Sequence, residues 1–168
     1  MKSLLSEAGY ILDSETNVWS RSNYDGIAYS DGDEVEQRIA QVVDTATDLS
    51  VLSSELRSHC TDWPTKYHLS GVRANILRPF ECSLQGDILE IGAGCGAITR
   101  YLGECGAEVL ALEGSPRRAA IARSRTRHMS NVTVTADKFD QFQIDQQFDV
   151  ITLIGVLEYA NLFGADDA

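Results

Sequence analysis

One run of five residues constrains this chain more than any other feature: Gly92-Ala93-Gly94-Cys95-Gly96. It follows a short apolar segment at residues 87–91 and precedes a stretch with helical spacing. Gly92 and Gly94 can adopt positive φ, and without a Cβ they let a ligand approach the backbone and the free N–H groups of the helix start. We expect Gly96 to let the start of the helix pack against the strand. The run predicts a ligand-binding turn from a parallel strand into a helix.

Strand and helix patterns alternate from residue 86 onward. Three further apolar segments follow the first one, at residues 108–112, 132–135 and 148–154. Ser115 followed by Pro116 is a favourable helix start, with serine as the N-cap and proline in the first position. Strands that alternate with helices at this spacing form parallel sheets with right-handed crossovers. The sequence therefore predicts an α/β fold: a three-layer, Rossmann-like, doubly wound parallel sheet that is incomplete, with the strand order 3-2-1-4.

The first third of the chain has a different pattern. Short strand-like segments at residues 10–12, 18–20 and 27–29 are separated by Asp, Ser, Asn and Gly residues that favour turns. We expect residues 1–64 to form an N-terminal α+β cap or extension. Residues 65–168 would then form the partial Rossmann-like domain.

Helices are also expected before the glycine run. One should begin near Asp33, where Glu36 three residues later resembles a capping box. A second should begin at Asp48 and be broken at Pro64, because the residue before a proline avoids helical backbone. A third is expected over residues 66–78.

Carboxylates near the strand ends bear on which ligand the glycine turn binds. The pattern Gly92-x-Gly94-x-x-Ala97 also fits nicotinamide and flavin dinucleotides. Glu90, however, stands where dinucleotide-binding strands are usually apolar; it can hold an ammonium group and would repel a pyrophosphate. Glu113, at the end of the second strand, has the right reach to accept hydrogen bonds from both ribose hydroxyls, which serves either ligand. Asp137, after the third strand, can accept from an adenine amino group.

Four segments, in chain order, resemble the motifs of class I S-adenosylmethionine-dependent methyltransferases. They are Asp87-Ile88-Leu89-Glu90-Ile91-Gly92-Ala93-Gly94-Cys95-Gly96, Leu110-Ala111-Leu112-Glu113-Gly114-Ser115, Thr135-Ala136-Asp137-Lys138 and Phe148-Asp149-Val150-Ile151. The resemblance covers about residues 66–160. It implies that S-adenosyl-L-methionine is the cofactor and that the reaction is methyl transfer to a small molecule.

The resemblance also implies roles for individual residues. Glu113 would bind the ribose and Asp137 the adenine, while Tyr67 and Arg73 belong to a helix that resembles the one closing over the methionine end. Backbone contacts around the base would come from the neighbours of Asp137, and Ile154 with Gly155 would line the inner side of the cofactor. The cofactor-binding residues implied are Tyr67, Glu90, Gly92, Ala93, Gly94, Glu113, Gly114, Ala136, Asp137, Lys138 and Ile154. No catalytic base is assigned.

Two further resemblances concern the substrate. The run Gly155-Val156-Leu157-Glu158-Tyr159 resembles the V-L-E-H segment of small-molecule methyltransferases such as those of quinone biosynthesis, with tyrosine in place of histidine. Residues 29–32 and the acidic helix after them resemble the leader of large bacterial methyltransferases fused to glycosyltransferases of surface-polysaccharide assembly. That likeness implies a sugar-related substrate.

Charge and cysteine content exclude several classes of function. The net charge of −11 repels nucleic acids and anionic membranes at long range, so neither is an expected partner. The four cysteines and three histidines lack metal-ligand spacing, so no metal is expected and the thiols are typical of a cytoplasmic protein. Five arginines at positions 117, 118, 123, 125 and 127 point to at least two faces of a helix, which we interpret as solvated.

The number of strands suggests a piece of a longer domain. The family's sheet has seven strands, and the fourth is the last that we recognise here. We therefore expect this chain to bind cofactor with little or no turnover alone, and the missing part or a dimer partner to cover the sheet edge. The alternatives left open are a non-catalytic module that binds an adenosyl ligand and a nicotinamide-dependent reductase.

Overall fold

The computed structural model of the protein describes residues 1–27 and 29–157. The helices in this part are α1 (Lys2–Glu7), α2 (Asp33–Thr45), α3 (Ser54–Ser58), α4 (Trp63–Leu69), α5 (Ala97–Glu104) and α6 (Pro116–Arg125), with 3₁₀ segments at Gly71–Ile76 and Arg78–Ser83. The strands in the same part are β1 (Ile11–Leu12), β2 (Trp19–Ser20), β3 (Asp87–Ile91), β4 (Glu108–Glu113), β5 (Val132–Ala136) and β6 (Val150–Leu153).

The strands form a single mixed sheet in the order β1-β2-β5-β4-β3-β6. β2, β5, β4, β3 and β6 run parallel, and β1 pairs antiparallel with β2. Within this sheet Ile91 pairs with Leu112 and Glu113 with Ala136, so β3, β4 and β5 end at one edge. The predicted α/β class is confirmed, and the carboxyl ends of the central strands lie side by side, as ligand sites in such sheets require.

The alternating side chains of the central strands build two cores. On one face Ile88, Val109 and Val134 pack in the cluster that includes Ile98 of α5 and Ala119 of α6. On the other face the alternate residues Leu89, Leu110 and Leu112 pack with Leu5 and Tyr10 from the N-terminal end of the chain. Strand residues thus point alternately to two apolar layers, which is why these strands read as continuous apolar runs.

A third cluster joins the outer helices. Ile39 and Val43, spaced four residues apart on α2, pack with Leu69 of α4 and Ile121 of α6. This spacing places one apolar stripe of α2 against its neighbours and leaves the rest to solvent. None of the helices in the described residues has the length and apolar composition needed to cross a bilayer.

The N-terminal third is packed into this architecture. β2 pairs with β5, with Trp19 opposite Thr135, so the first hairpin extends the sheet. Leu5 of α1 is completely buried, and α2 packs along α6. The boundary between residues 64 and 65 stays a prediction, and the extension shares both its sheet and its core with the rest of the chain.

Several local expectations differ from the structure around Pro64. The helix expected from Asp48 is only the short α3, and Pro64 lies in the first turn of α4 rather than ending a helix. The Asp62 side chain caps α4 by accepting from Thr65 N at 3.0 Å, and the missing N–H of a proline costs nothing in the first turn. The helix expected over 66–78 stops at Leu69, because Ser70 is extended and starts a 3₁₀ segment.

Two expectations for the region before α2 also differ. Ile27 and Tyr29 lie outside regular structure, so the third N-terminal strand is wrong for these two residues. α2 does begin at Asp33, but its N-cap is Gly32, which gives no side-chain bond. The capping box is wrong because Glu36 is turned inward to bind Arg118.

The arginines of α6 are not all solvated, contrary to our expectation. Arg118 is 5% exposed and Arg125 is completely buried. Arg125 donates to the carbonyl oxygens of His68 and Leu69, the latter at 3.2 Å, and so caps the last turn of α4. Burial lowers the pKa of Arg125 to about 10, which leaves the guanidinium charged at neutral pH.

Replacing Arg125 tests whether this buried cation stabilises the fold. Arg125→Met should lower the free energy of unfolding by about 2–3 kcal/mol, because two carbonyl groups lose charged donors. Urea titration followed by circular dichroism measures the change. Arg57→Met, at an exposed position in α3, is the control and should stay within about 0.5 kcal/mol of the wild type. Equal stabilities for the two variants would show that the buried contacts contribute nothing.

Candidate cofactor site

A cavity of about 830 Å³ opens at the carboxyl ends of β3, β4 and β5. Its volume lies within the range of small-molecule sites, and its position is the usual one for ligands of open α/β sheets. The lining combines glycine backbone and buried acids with apolar side chains from several elements. The lining residues include Ile27, Tyr29, Tyr67, His68, Arg73, Glu90, Gly92, Ala93, Gly94, Glu113, Gly114, Arg118, Asp137, Lys138, Phe139, Leu153, Gly155, Val156 and Leu157.

The glycine turn is held against the neighbouring strand. Gly92 N and Ala93 N both donate to Leu112 O of β4, at 2.8 and 3.0 Å. Gly92 has φ +81°, and a Cβ built there would lie 2.3 Å from Val156 Cγ2. A side chain at this position would therefore be strained and would also clash at the cavity wall.

Gly96 serves a different contact from the expected one. A Cβ there would lie 2.8 Å from Ala122 Cα, so the residue lets the start of α5 approach α6 rather than the strand. The expectation of strand packing was wrong because α6, from the next crossover, lies beside α5 on the same face of the sheet.

Glu113 braces the turn from the end of β4. Its Oε2 accepts from Gly94 N at 2.7 Å and its Oε1 accepts from Ser115 N at 2.9 Å. Burial raises its pKa, and these two backbone donors oppose that rise. Each carboxylate oxygen keeps a further lone pair, so Glu113 can also accept from ligand hydroxyls.

Glu90 is a buried acid whose bonding is incomplete. It is 3% exposed, and its Oε2 has no hydrogen-bond partner among the described residues. Burial raises the pKa of Glu90 to about 7, the charge of Glu113 adds to the rise, and Arg73 opposes it. A buried acceptor without a donor is costly, and in a cavity wall it is suited to a ligand that brings a donor.

Asp137 has partners from the N-terminal hairpin. The Tyr10 hydroxyl donates to Asp137 Oδ2, and Arg21 Nε lies 3.0 Å from the same oxygen. Asp137 Oδ1 accepts from Lys138 N at 2.8 Å. The carboxylate is thus fixed at the cavity wall, and Oδ1 keeps one lone pair for a further donor.

Tyr67 and Arg73 contact each other at the cavity wall. The guanidinium carbon of Arg73 lies 3.8 Å from the centre of the Tyr67 ring, a close cation–π contact. Both residues line the cavity that Glu90 lines. The pair places a positive charge in a cavity otherwise rich in buried carboxylates.

The cavity brings together most of the residues that the sequence singled out. Ala136 and Ile154 are the exceptions, because Ala136 is buried within the sheet and Ile154 packs against the core. Leu153 and Gly155, the neighbours of Ile154, line the cavity instead. Glu158 and Tyr159 lie outside the described residues. The ligand contacts of all these residues stay predictions.

Sequence reasoning missed the segment before α2. Ile27 and Tyr29 line the cavity, and the Tyr24 hydroxyl donates to Gly114 O at the end of β4. A Cβ at Gly114 would lie 2.6 Å from Ile27 Cδ1, so the absence of a side chain at Gly114 leaves the space that Ile27 occupies. The segment has no periodic pattern, and nothing local in it indicates a contact so distant in the chain.

An ion-pair cluster centred on the buried Arg118 anchors that segment through Asp31. Arg118 donates through Nη2 to Asp31 Oδ2 at 2.7 Å and through Nε to Glu36 Oε1 at 2.8 Å. Its guanidinium also lies 4.8 Å from the centre of the Tyr29 ring. Asp31 Oδ2 contacts His68 Nε2 at 2.7 Å as well. This cluster joins α6, α2 and α4 around the segment that covers the cavity.

Comparison with known proteins agrees with this geometry. Residues 89–167, somewhat less than half of the chain, match the family described as a methyltransferase domain. This part of the chain is similar to methyltransferase domains. The match agrees with the resemblance of the four motifs to class I S-adenosylmethionine-dependent methyltransferases.

A curated relative is similar over part of this domain. The demethylmenaquinone methyltransferase of Tropheryma whipplei (strain Twist) is 37% identical over 68 residues, which are 40% of this chain and 28% of the relative. The protein of strain TW08/27 gives the same values. The match therefore spans little more than a quarter of the length of these relatives.

Solved structures of methyltransferases are also similar. The glycopeptide N-methyltransferase MtfA, complexed with S-adenosyl-L-methionine, is 27% identical with a TM-score of 0.42, over 46% of this chain and 34% of that one. The N-methyltransferase NodS from Bradyrhizobium japonicum WM9, in complex with S-adenosyl-L-homocysteine, is 24% identical with a TM-score of 0.44, over 71% and 55%. TM-scores below 0.5 do not establish a shared fold.

The buried Glu90 should make stability depend on pH. Its pKa is raised on folding, so its contribution to stability is fully present below the ordinary glutamate pKa and is lost as the pH rises through about 7. Glu90→Gln should therefore be more stable than the wild type by about 1–3 kcal/mol at pH 8.5 and nearly equal at pH 5. Urea unfolding at both pH values measures this difference.

Glu34→Gln, at an exposed position in α2, is the matched control and should show the same small difference at both pH values. A Glu90→Gln protein that is less stable than the wild type at pH 8.5 would contradict the assignment of Glu90 as an unpaired buried acid.

Proposed function

We propose that this chain binds S-adenosyl-L-methionine and transfers its methyl group to a small molecule. The observation that carries the proposal is the juxtaposition of Glu90 and Glu113, two buried carboxylates, with the glycine turn in one cavity. The cofactor brings groups that suit these acids: an ammonium group and two ribose hydroxyls as donors, and the positive charge of its sulfonium. The match of residues 89–167 to a methyltransferase domain supports the same reaction.

Each part of the cofactor has a suitable group in the cavity. We assign the ribose hydroxyls to Glu113 and the methionine ammonium to Glu90, whose Oε2 lacks a donor in the part of the chain that the structure describes. The methionine carboxylate is assigned to Arg73, which is held against Tyr67. The adenine amino group is assigned to Asp137, fixed by its contacts with the N-terminal hairpin.

Adjacent backbone is assigned to the rest of the cofactor. Gly92, Ala93 and Gly94 allow close approach along the methionine and ribose, and Gly114 does so beside the adenosine. Lys138 contributes backbone near the base. Leu153 and Gly155 take the place that the sequence suggested for Ile154 on the inner side.

The chemistry requires little more from the protein. The bound cofactor supplies an activated sulfonium methyl group, and the residues of the chain align the acceptor in line with it and exclude water. Apolar side chains of Ile27, Phe139 and Leu153 line the cavity and reduce the polar surface that water can contact there. Its buried acids also favour a sulfonium over the pyrophosphate of a nicotinamide dinucleotide.

We further propose that the acceptor is a small molecule and that the reaction takes place in the cytoplasm. The apolar side chains of Phe139, Leu153 and Leu157 support an acceptor with an apolar portion, and the likeness to a demethylmenaquinone methyltransferase agrees with that. A sugar-related acceptor rests only on the resemblance of residues 29–32. The net charge of −11 is unfavourable for nucleic acid as a partner.

Calorimetric titration tests cofactor binding by the purified chain. S-Adenosylmethionine and S-adenosylhomocysteine should bind, and NADH should not. Glu113→Gln should weaken both adenosyl ligands at least tenfold, because a neutral amide is a poorer acceptor for two hydroxyls. The same titration for Glu113→Ala gives the effect of removing the acceptor altogether.

Glu108→Gln is the matched control, since Glu108 is exposed at the opposite end of the same strand. It should bind both adenosyl ligands like the wild type. Failure of the wild type to bind either adenosyl ligand, or equal affinities for the wild type and Glu113→Gln, would overturn the proposed function. Tight binding of NADH would favour a reductase.

A further inference from the structure

We infer that His68, oriented by Asp31, is the general base that takes a proton from the methyl acceptor. The inference rests on the proposed function and adds a catalytic residue to it. The four motifs and the glycine turn assign no base, and His68 belongs to α4, outside the matched residues 89–167.

The contact with Asp31 fixes which nitrogen of His68 carries the proton. Nε2 lies 2.7 Å from Asp31 Oδ2. A carboxylate oxygen only accepts, so Nε2 donates and the lone pair of the neutral ring is on Nδ1. An aspartate behind a histidine holds this tautomer and stabilises the imidazolium that forms when Nδ1 takes a proton.

The free nitrogen lies close to the glycine turn at the cavity wall. His68 lines the cavity that Glu90 and Glu113 line, and a Cβ built on Gly94 would lie 3.9 Å from His68 Nδ1. Within residues 1–27 and 29–157 no hydrogen bond to Nδ1 is found, so this acceptor is available to a ligand.

The surroundings keep the ring neutral before reaction. Burial lowers the pKa of His68. The positive charges of Arg118 in α6 and of Arg73 in the 3₁₀ segment Gly71–Ile76 lower that pKa further, and the contact with Asp31 opposes this decrease. The Tyr67 ring meets the imidazole edge-on, with 5.0 Å between the ring centres. A neutral imidazole at physiological pH is the form that can accept a proton.

The step is balanced in atoms and electrons. A lone pair of the acceptor oxygen or nitrogen forms a bond to the methyl carbon, and the carbon–sulfur bond breaks with its pair going to sulfur. The proton of the acceptor goes to His68 Nδ1. The products are the methylated acceptor, S-adenosylhomocysteine and an imidazolium paired with Asp31, which later releases its proton to solvent.

Three buried acids of the cavity are less suited to this task. Glu113 is engaged by two backbone donors, and Asp137 is bonded to Tyr10 and Arg21. Glu90 faces the ammonium in the proposed binding mode. His68 alone among these groups combines a free acceptor with a partner that stabilises its protonated form.

Sinefungin allows a test without a known acceptor. It is an analogue of S-adenosylmethionine in which a carbon that carries an amino group replaces the sulfur and its methyl group. A base that faces the transferred methyl group should accept a hydrogen bond from that amine. Calorimetry at pH 8 should show that the wild type binds sinefungin at least tenfold more tightly than S-adenosylhomocysteine. His68→Gln retains a donor toward Asp31 but lacks Nδ1. It should lose about tenfold of this preference while its affinity for S-adenosylhomocysteine changes less than twofold.

His59→Gln, at an exposed histidine, should keep the full preference. Nitrogen-15 NMR of the unmutated chain gives an independent measurement if His68→Gln folds poorly: the Nδ1 resonance of His68 should shift with sinefungin and not with S-adenosylhomocysteine. In Asp31→Asn, which tests the positioning role, the same spectra should show loss of the single tautomer.

Three results would overturn the inference: no sinefungin preference in the wild type, an unchanged preference in His68→Gln, or an equal loss of affinity for both ligands. The last would place His68 against a part that the two ligands share. Failure of S-adenosylhomocysteine itself to bind the wild type is a separate result, which contradicts the proposed function as well.

Discussion

The charge of Arg118 organises the region around the cofactor cavity. Its guanidinium is almost completely buried, and such a charge is tolerated only with partners of opposite sign in good geometry. Asp31 and Glu36 supply them from the covering segment and from α2. Because Asp31 also contacts His68, the position of α4 and the tautomer of its histidine depend on the same cation. Removing Asp31 or Glu36 would leave the buried Arg118 guanidinium with only one of these two carboxylate partners, so the contacts of the cluster depend on one another.

The sequence predicted the parts of the site that depend on local signals. The glycine turn, Glu90, Glu113 and Asp137 follow strands whose apolar patterns are short and clear, and the parallel pairing brings the strand ends together. That alone locates the cavity. The start of α2 at Asp33 and the start of α6 after Ser115 are also local, since each depends on residues within one helical turn.

The rest depends on partners distant in the chain. Pro64 fits both a helix break and a helix start, and only the capping bond of Asp62 decides between them. Glu36 fits a capping box until Arg118, in another helix, competes for it. The arginines of α6 look alike in sequence, yet Arg125 is buried because the end of α4 offers it carbonyl oxygens. The covering segment has no pattern of its own, since its contacts are with the ends of β4 and α6.

The pairing of Trp19 with Thr135 brings together residues more than a hundred positions apart. Closing so long a loop carries an entropic cost, and contacts of this kind tend to form late in folding. The cavity draws its lining from both sides of that closure, from Ile27 to Leu157. A ligand held there would tie the segment that follows β2 to the end of β6, and it would stabilise the closed arrangement by an amount that rises with the logarithm of its concentration. During synthesis, the chain could therefore hold such a ligand only after β5 had left the ribosome and paired with β2.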